Sequence, residues 1–146
     1  MNQRGIVIAV CTSERKGMPK EDVGRGLLVK EHGLEGDVHA GDWHRQVSLL
    51  SVSSINKIKE QGLEIENGDF AENLTVDGLD VWTLPVGTRL TVGQEAVLEV
   101  TQIGKECHAR CAIFYRAGDC VMPREGIFAR VLKTGPVAAG DEVVVL

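Results

Sequence analysis

Long apolar runs are missing from this 146-residue chain. None approaches the roughly 20 residues that a membrane-crossing helix needs, so no spanning helix and no membrane partner are expected. The first ten residues, MNQRGIVIAV, lack the extended apolar core and small-residue cleavage site of a secretory leader. Together these absences set the cytoplasm as the expected location. Positive charge is also in short supply, with 16 Lys and Arg against 21 Asp and Glu and a formal net charge of −5. A broad nucleic-acid surface needs the opposite balance, which leaves room only for a local basic pocket taking a small anion. Internal repeats, low-complexity tracts and any composition shift that would mark a second unit are absent too, so residues 1–146 are read as a single domain. The chain has four cysteines but no paired C-x2-C spacing. A chain this long buries a core without covalent staples, and reduced thiols are therefore expected.

What is present is an ordinary globular composition, 43% hydrophobic and 25% charged. The densest chemistry lies in residues 104–130, GKECHARCAIFYRAGDCVMPREGIFAR, which hold three of the four cysteines, a histidine, the only tyrosine and five basic residues. Lys105, His108 and Arg110 flank Cys107, and residues 105–115 contain neither Gly nor Pro, so a short helix is expected there. A thiol near a helix N-terminus and among cations falls below its usual pKa of about 8.5 and becomes a nucleophile or a soft metal ligand. The plainer alternative is that Cys107, Cys111 and Cys120 are small buried apolar residues. A zinc site built from Cys107, His108, Cys111 and Cys120 is a third, since those ligand types suit a tetrahedral ion.

Elsewhere the pattern is mostly strand and turn. Residues 5–10, GIVIAV, read as a strand buried on both faces, and residues 26–30 as a second short strand. Between them, the polar loop 12–24 presents Arg15, Lys16 and Lys20, read chiefly as solvated surface. Residues 33–51, GLEGDVHAGDWHRQVSLLS, are richer in chemical groups than a linker requires. Asp37 and Asp42 suit bracing of the turns they occupy. Arg45, at the loop-to-strand junction, is the expected ligand contact there, because a guanidinium grips phosphate through two parallel donors. Residues 51–61 form the clearest helix, with serine at its N-cap, Ile55 and Ile58 on one face and Gly62 after it. Strands are expected within 69–76, at 87–92, 96–103, 127–132 and 142–146, with a turn-forming stretch at 134–141. About seven short strands with one or two helices describe a mainly β, barrel-like domain.

Three segments in order, residues 36–51 (GDVHAGDWHRQVSLLS), 68–80 (GDFAENLTVDGLD) and 86–107 (VGTRLTVGQEAVLEVTQIGKEC), resemble the MOSC domain. That module occurs at the C-terminus of eukaryotic molybdenum cofactor sulfurases and as free-standing bacterial proteins. The resemblance implies a MOSC-type β-barrel that handles the molybdenum–pterin cofactor, or sulfur destined for it. It also implies a role for one cysteine just after the strand in the third segment, carrying sulfur as a persulfide or ligating molybdenum, and Cys107 stands there. Arg45, Arg110, Arg124 and Arg130 are then candidates for the pterin's phosphate, and Glu72 and Asn73 for its edge. Each has a plainer reading as a turn brace or surface charge. The pyridoxal-phosphate desulfurase unit of the large sulfurases is not in this sequence, so a cysteine desulfurase or other sulfur donor is the expected partner. A molybdoenzyme or cofactor-biosynthesis protein is the expected acceptor. Two other functions remain open: a cofactor-dependent reductase of N-hydroxylated substrates, and a zinc-stabilised binding module without catalysis.

Overall fold

The computed structural model describes residues 3–16, 18–104 and 125–146. Eleven strands and one α-helix appear among them: β1 (Arg4–Thr12), β2 (Glu21–Asp22), β3 (Arg25–Val29), β4 (Gly33–Leu34), β5 (Val47–Ser51), α1 (Val52–Lys59), β6 (Leu74–Asp77), β7 (Arg89–Val92), β8 (Ala96–Ile103), β9 (Ile127–Lys133), β10 (Gly135–Ala138) and β11 (Glu142–Val145). Seven of them close on themselves in the order β1, β6, β5, β9, β8, β7, β11 and back to β1. Closure pairs every strand edge along that ring and leaves one face of each strand for a common interior. Val7, Leu49, Leu74, Val76, Leu90, Leu98, Ile127 and Val131 fill it, all fully buried. Strands β10, β3 and β4 form a second small sheet.

Barrel geometry corrects one expectation. Strand β1 is not buried on both faces: Ile6 and Ile8 point outward at 39% and 40% exposure, while Val7 and Ala9 are fully buried. A barrel strand has only one inner face, and successive side chains alternate across it. The mixed-sign ladder on β7, β8 and β9 follows from the same alternation. Glu99 is paired across the sheet with Arg89 on one side and Arg130 on the other, with N···O distances of 3.2 and 3.4 Å. These groups are partly exposed, so the pairs add little to stability.

Strands β5 and β6 are parallel, and α1 is the crossover that parallel pairing requires. The helix lies where the spacing of Ile55 and Ile58 placed it, and these two pack with Leu50, Ile65, Phe70 and Phe128 in a second apolar cluster. Its start differs in detail. Ser51 occupies the N-cap, but its hydroxyl makes no cap bond. It donates to Leu79 O at 2.7 Å and accepts from Val81 N at 2.9 Å, tying the helix start to the 3-10 turn Val81–Thr83. At the other end Lys57 donates to both oxygens of Glu125, at 2.9 and 2.8 Å, which Ser54 also reaches at 2.7 Å. The stretch 134–141, expected as a turn, contains β10. Its Gly-Pro start reads as a turn in sequence, yet β10 is the outer strand of the small sheet, where a proline without an N–H is tolerated.

Candidate functional site

The loop 35–46, between β4 and β5, is held from beneath by a buried ion pair. Lys20 Nζ lies 2.7 Å from Asp37 Oδ1, and both side chains are fully buried. This corrects the reading of Lys20 as solvated surface. Its ammonium also donates to Ser13 Oγ at 3.1 Å and meets His39 Nδ1 at 2.9 Å. The Asp37 carboxylate in turn accepts the backbone N–H groups of Ser13 and His39, each at 3.1 Å. Burial raises the Asp37 pKa, but the bond and charge of Lys20, with help from Ser13 and Asn73, outweigh it and leave the group below its usual 3.8. Asp37 is thus the turn brace its residue type suggested. With that brace in place, Val38 N bonds Ser13 O at 2.9 Å and Trp43 Nε1 donates to His39 O at 2.8 Å, so the loop turns Trp43 and Arg45 into one cleft.

The cleft has a volume of about 230 Å³ and is lined by Lys16, His39, Trp43, Arg45, Ser48, Ala71, Asn73 and Phe128. At roughly 30 Å³ per water it has room for an oxyanion head group and the first atoms attached to it. The Arg45 guanidinium carbon sits 4.6 Å from the Trp43 ring centroid and 5.5 Å from that of Phe128. Stacking of this kind is worth about 1–2 kcal/mol and immobilises the guanidinium plane. Arg45 Nε is buried and has no hydrogen-bond partner among the described residues. A buried donor without an acceptor costs about 1–3 kcal/mol, so this site gains from any anion that supplies one.

Asn73 lines the same cleft but its polar atoms brace the barrel. Its Oδ1 accepts from Ser48 N at 2.9 Å and Ser48 Oγ at 3.2 Å, and its Nδ2 donates to Cys11 O at 3.1 Å. Glu72 is fully buried and lies outside the cleft lining, with its carboxylate accepting from Gly68 N and Phe70 N, both at 3.1 Å, and from Thr75 Oγ1 at 3.3 Å. These bonds hold the turn that carries Ala71 in a left-handed conformation, φ 63°, at the cleft. Arg130 stands apart, ion-paired to Glu99 and lining a separate surface cleft with Asp42, His44 and Trp43. Cys107, His108, Arg110, Cys111, Cys120 and Arg124 lie outside the described residues, as does the helix expected over 105–115. Cys11, the remaining cysteine, is fully buried on β1, and burial first, then the charge of Glu72, pushes its pKa up to about 12, which makes it inert.

Glu72 yields a pH prediction. Burial raises its pKa from 4.5 to about 7 against the pull of its N–H donors. Between those values the folded chain holds a proton that the unfolded chain has released, so stability falls as pH rises through the window and levels off above it. At 1.36 kcal/mol per pH unit the loss totals about 3 kcal/mol. Urea denaturation at pH 5 and at pH 7.5 is expected to show about 2 kcal/mol of this loss in the wild type and little of it in Glu72→Gln.

A closed seven-stranded barrel with a cationic, aromatic-lined cleft at one loop cluster defines the class: a small β-barrel domain built around an oxyanion-sized recess. The MOSC domain model matches residues 35–144, and the chain belongs to that family, which is associated with the molybdenum cofactor. Among solved structures it is similar to the YuaD protein from Bacillus subtilis, with a TM-score of 0.80, 20% identity, and coverage of 99% of this chain and 98% of that one. It is also similar to YiiM from Escherichia coli, with a TM-score of 0.67, 23% identity, and coverage of 98% and 69%. For YiiM from Geobacillus stearothermophilus the corresponding values are 0.66, 18%, 97% and 73%. At these identities the likeness is one of fold. No curated protein sequence matches the chain. No helix among the described residues is long and apolar enough to cross a membrane.

Sequence reasoning named Arg45 and Asn73 as candidate ligand contacts, and both line this cleft. It missed the two rings that make Arg45 a site, although Trp43 and Phe128 are a third of the six aromatic residues in the chain. It also missed the buried Lys20 behind His39. Scarcity of aromatics was the available signal for the rings; for Lys20 none was available, because an ion pair across 17 residues leaves no local pattern.

Proposed function

We propose that this chain binds the phosphate end of the molybdenum–pterin cofactor in the Arg45 cleft and serves cofactor maturation or sulfur transfer, with Cys107 as the working thiolate. One observation carries the reading: a stacked guanidinium, whose buried Nε has no acceptor among the described residues, lines an oxyanion-sized recess in a MOSC chain. The donors present suit a phosphate, since Arg45 is joined in the lining by Lys16, and no carboxylate among the described residues takes part in it. When bound, the group supplies a redox-active metal with labile sulfur or oxygen ligands. The chain's own residues would anchor its phosphate and offer a soft anionic sulfur. In the sulfur-carrier form, the Cys107 thiolate attacks the terminal sulfur of a donor persulfide. The donor's S–S bond breaks, the donor leaves as thiolate, and Cys107 retains the persulfide.

The test has two arms. Protein expressed with cofactor synthesis intact is assayed for molybdenum, tungsten and zinc by elemental analysis. Wild type is expected to retain molybdenum or tungsten, and Arg45→Gln about a tenth as much or less, the loss of a charge-assisted bond of about 1.5–3 kcal/mol. Equal retention by both would overturn the phosphate role of Arg45. In the second arm, a cysteine desulfurase and cysteine are added and the intact protein is weighed. A cyanide-labile one-sulfur adduct is expected on wild type and not on Cys107→Ala. Zinc alone, lost together with folding on chelation, would favour the structural-metal reading through Cys107, His108, Cys111 and Cys120. Turnover of an N-hydroxylated base by cofactor-loaded protein would favour the reductase.

A further inference from the structure

Two residues of the cleft wall, Ala71 and Asn73, are the chain neighbours of Glu72, whose own side chain is fully buried and takes no part in the lining. Among the described residues no cation is paired with its carboxylate. Gly68 N and Thr75 Oγ1 donate to Oε2, at 3.1 and 3.3 Å, and Phe70 N donates to Oε1 at 3.1 Å. The two N–H groups can only donate, but a hydroxyl donates to a carboxylate and, turned about its C–O bond, accepts from a carboxyl O–H. A proton on Oε2 is therefore received by Thr75, while Oε1 becomes the carbonyl oxygen and still accepts from Phe70 N. The turn 68–73 keeps its bonds in either state, so Glu72 can gain or lose a proton without a change of fold. We propose that Glu72 is a proton-linked regulator of the Arg45 cleft: an oxyanion enters together with a proton taken up by Glu72, and leaves as Glu72 ionises.

The link is electrostatic. An ionised Glu72 and an oxyanion held by the residues on either side of it are like charges, and burial of the carboxylate keeps water from screening them. Each therefore disfavours the other. Burial alone already brings this group to a pKa of about 7, so a nearby anion acts on it in the neutral range. The titratable and charged groups at this corner come from several elements. Cys11 on β1 feels the Glu72 charge, but its thiol is pushed up to about 12 and stays neutral throughout. Asp22 on β2, Asp69 on the turn and Lys20 on the strap act on the same thiol. Lys20 is paired with Asp37 and joins the turn through its backbone N–H, which donates to Gly68 O at 2.8 Å. Strand β6 contributes the Thr75 hydroxyl, and the cleft contributes Lys16, His39 and Arg45. Histidine is the other residue type here that ordinarily changes charge near neutral pH, and the test has to separate it from Glu72. The proposal rests on the anion reading of the cleft given above.

Sulfate serves as the probe, because its own charge is constant between pH 5.5 and pH 8.5. It is titrated with Trp43 fluorescence, in a Trp82→Phe background, as the measure of binding. Affinity is expected to fall about tenfold from the lower pH to the higher, which corresponds to an anion raising the Glu72 pKa by about one pH unit. Glu72→Gln is expected to lose most of that fall, and His39→Gln to keep it whatever its affinity. A fall that survives in Glu72→Gln and vanishes in His39→Gln overturns the proposal. Should the Glu72 variant not fold, carbon-13 NMR of glutamate-labelled wild type follows the carboxyl directly, as the glutamate that titrates near pH 7. Saturating sulfate is expected to raise its midpoint by about one pH unit. A midpoint that stays in place, or an affinity that is flat with pH in a protein that does bind sulfate, overturns the proton link and leaves the anion cleft standing. Sulfate that binds at no pH in this range overturns the anion reading of the cleft, and the proton link falls with it.

Discussion

Replacing Lys20 by methionine while leaving Asp37 in place is expected to lower stability by about 3–5 kcal/mol at pH 7, the penalty for stranding one charge of a buried pair. Both side chains are fully buried at 2.7 Å, so solvent cannot rescue the carboxylate. The double variant Lys20→Met/Asp37→Asn is expected to recover most of the loss. The favourable part of a buried pair largely repays its own desolvation, and an amide still accepts a backbone N–H where Asp37 accepts from Ser13. Urea denaturation of the three proteins measures this directly. A double variant as unstable as the single one would show that lost packing, and not an orphaned charge, dominates. The acid side provides a cross-check with a definite sign. Asp37 has its pKa lowered in the folded state, so its contribution is complete above the unfolded value of 3.8 and is lost as pH falls below it. Lys20→Met is therefore expected to flatten the acid limb of the stability curve.

The barrel was legible in sequence because its strands advertise themselves locally. The β-branched apolar run of residues 5–10, the Gly93 hairpin between β7 and β8, and the apolar run of β9 each reveal a strand without knowledge of its partners. What did not show was which strands close the ring. Strand β3 was as visible as any other, yet it pairs with β10 outside the barrel, and β10 itself was hidden behind a Gly-Pro turn signal. The candidate site divides in the same way. Arg45 could be selected because a guanidinium at a loop-to-strand junction is informative by itself. The bonding of Glu72 could not be read from its neighbours, because its donors come from the backbone of a turn whose shape depends on the whole 66–73 segment. Phe128 is separated from Arg45 by 83 positions, and only the antiparallel pairing of β5 with β9 brings them together. Long-range partnership of this kind follows from topology, which residue spacing does not encode.

Gly68 links that topology to the cleft, and Gly68→Ala is expected to be the most damaging one-methyl change in the chain. The residue has a φ of 91°, and a Cβ there would overlap the carbonyl oxygen of Lys20 and lie 2.7 Å from its carbonyl carbon. Left-handed backbone alone costs a non-glycine residue about 1–2 kcal/mol. Gly62, with φ 89° and open space where a Cβ would go, isolates that cost, and Gly62→Ala is expected to lose about 1 kcal/mol. At Gly68 the collision is with backbone, which cannot rotate aside, and overpacking adds about 1–3 kcal/mol more. The damage reaches further than packing. Lys20 N donates to Gly68 O at 2.8 Å, and Gly68 N donates to Glu72 at 3.1 Å, so displacing this contact moves the strap carrying Lys20 and the turn carrying Ala71 together. Gly68→Ala is accordingly expected to lower stability by about 3–4 kcal/mol and to weaken phosphate binding in whatever fraction remains folded. Gly62→Ala should leave phosphate binding as it is. Thermal denaturation and a phosphate titration followed by Trp43 fluorescence in a Trp82→Phe background, run on both variants, separate the two effects: matching losses at positions 62 and 68 would mean that the contact with Lys20 is slack, and the coupling between the 66–73 turn and the cleft would fall with it.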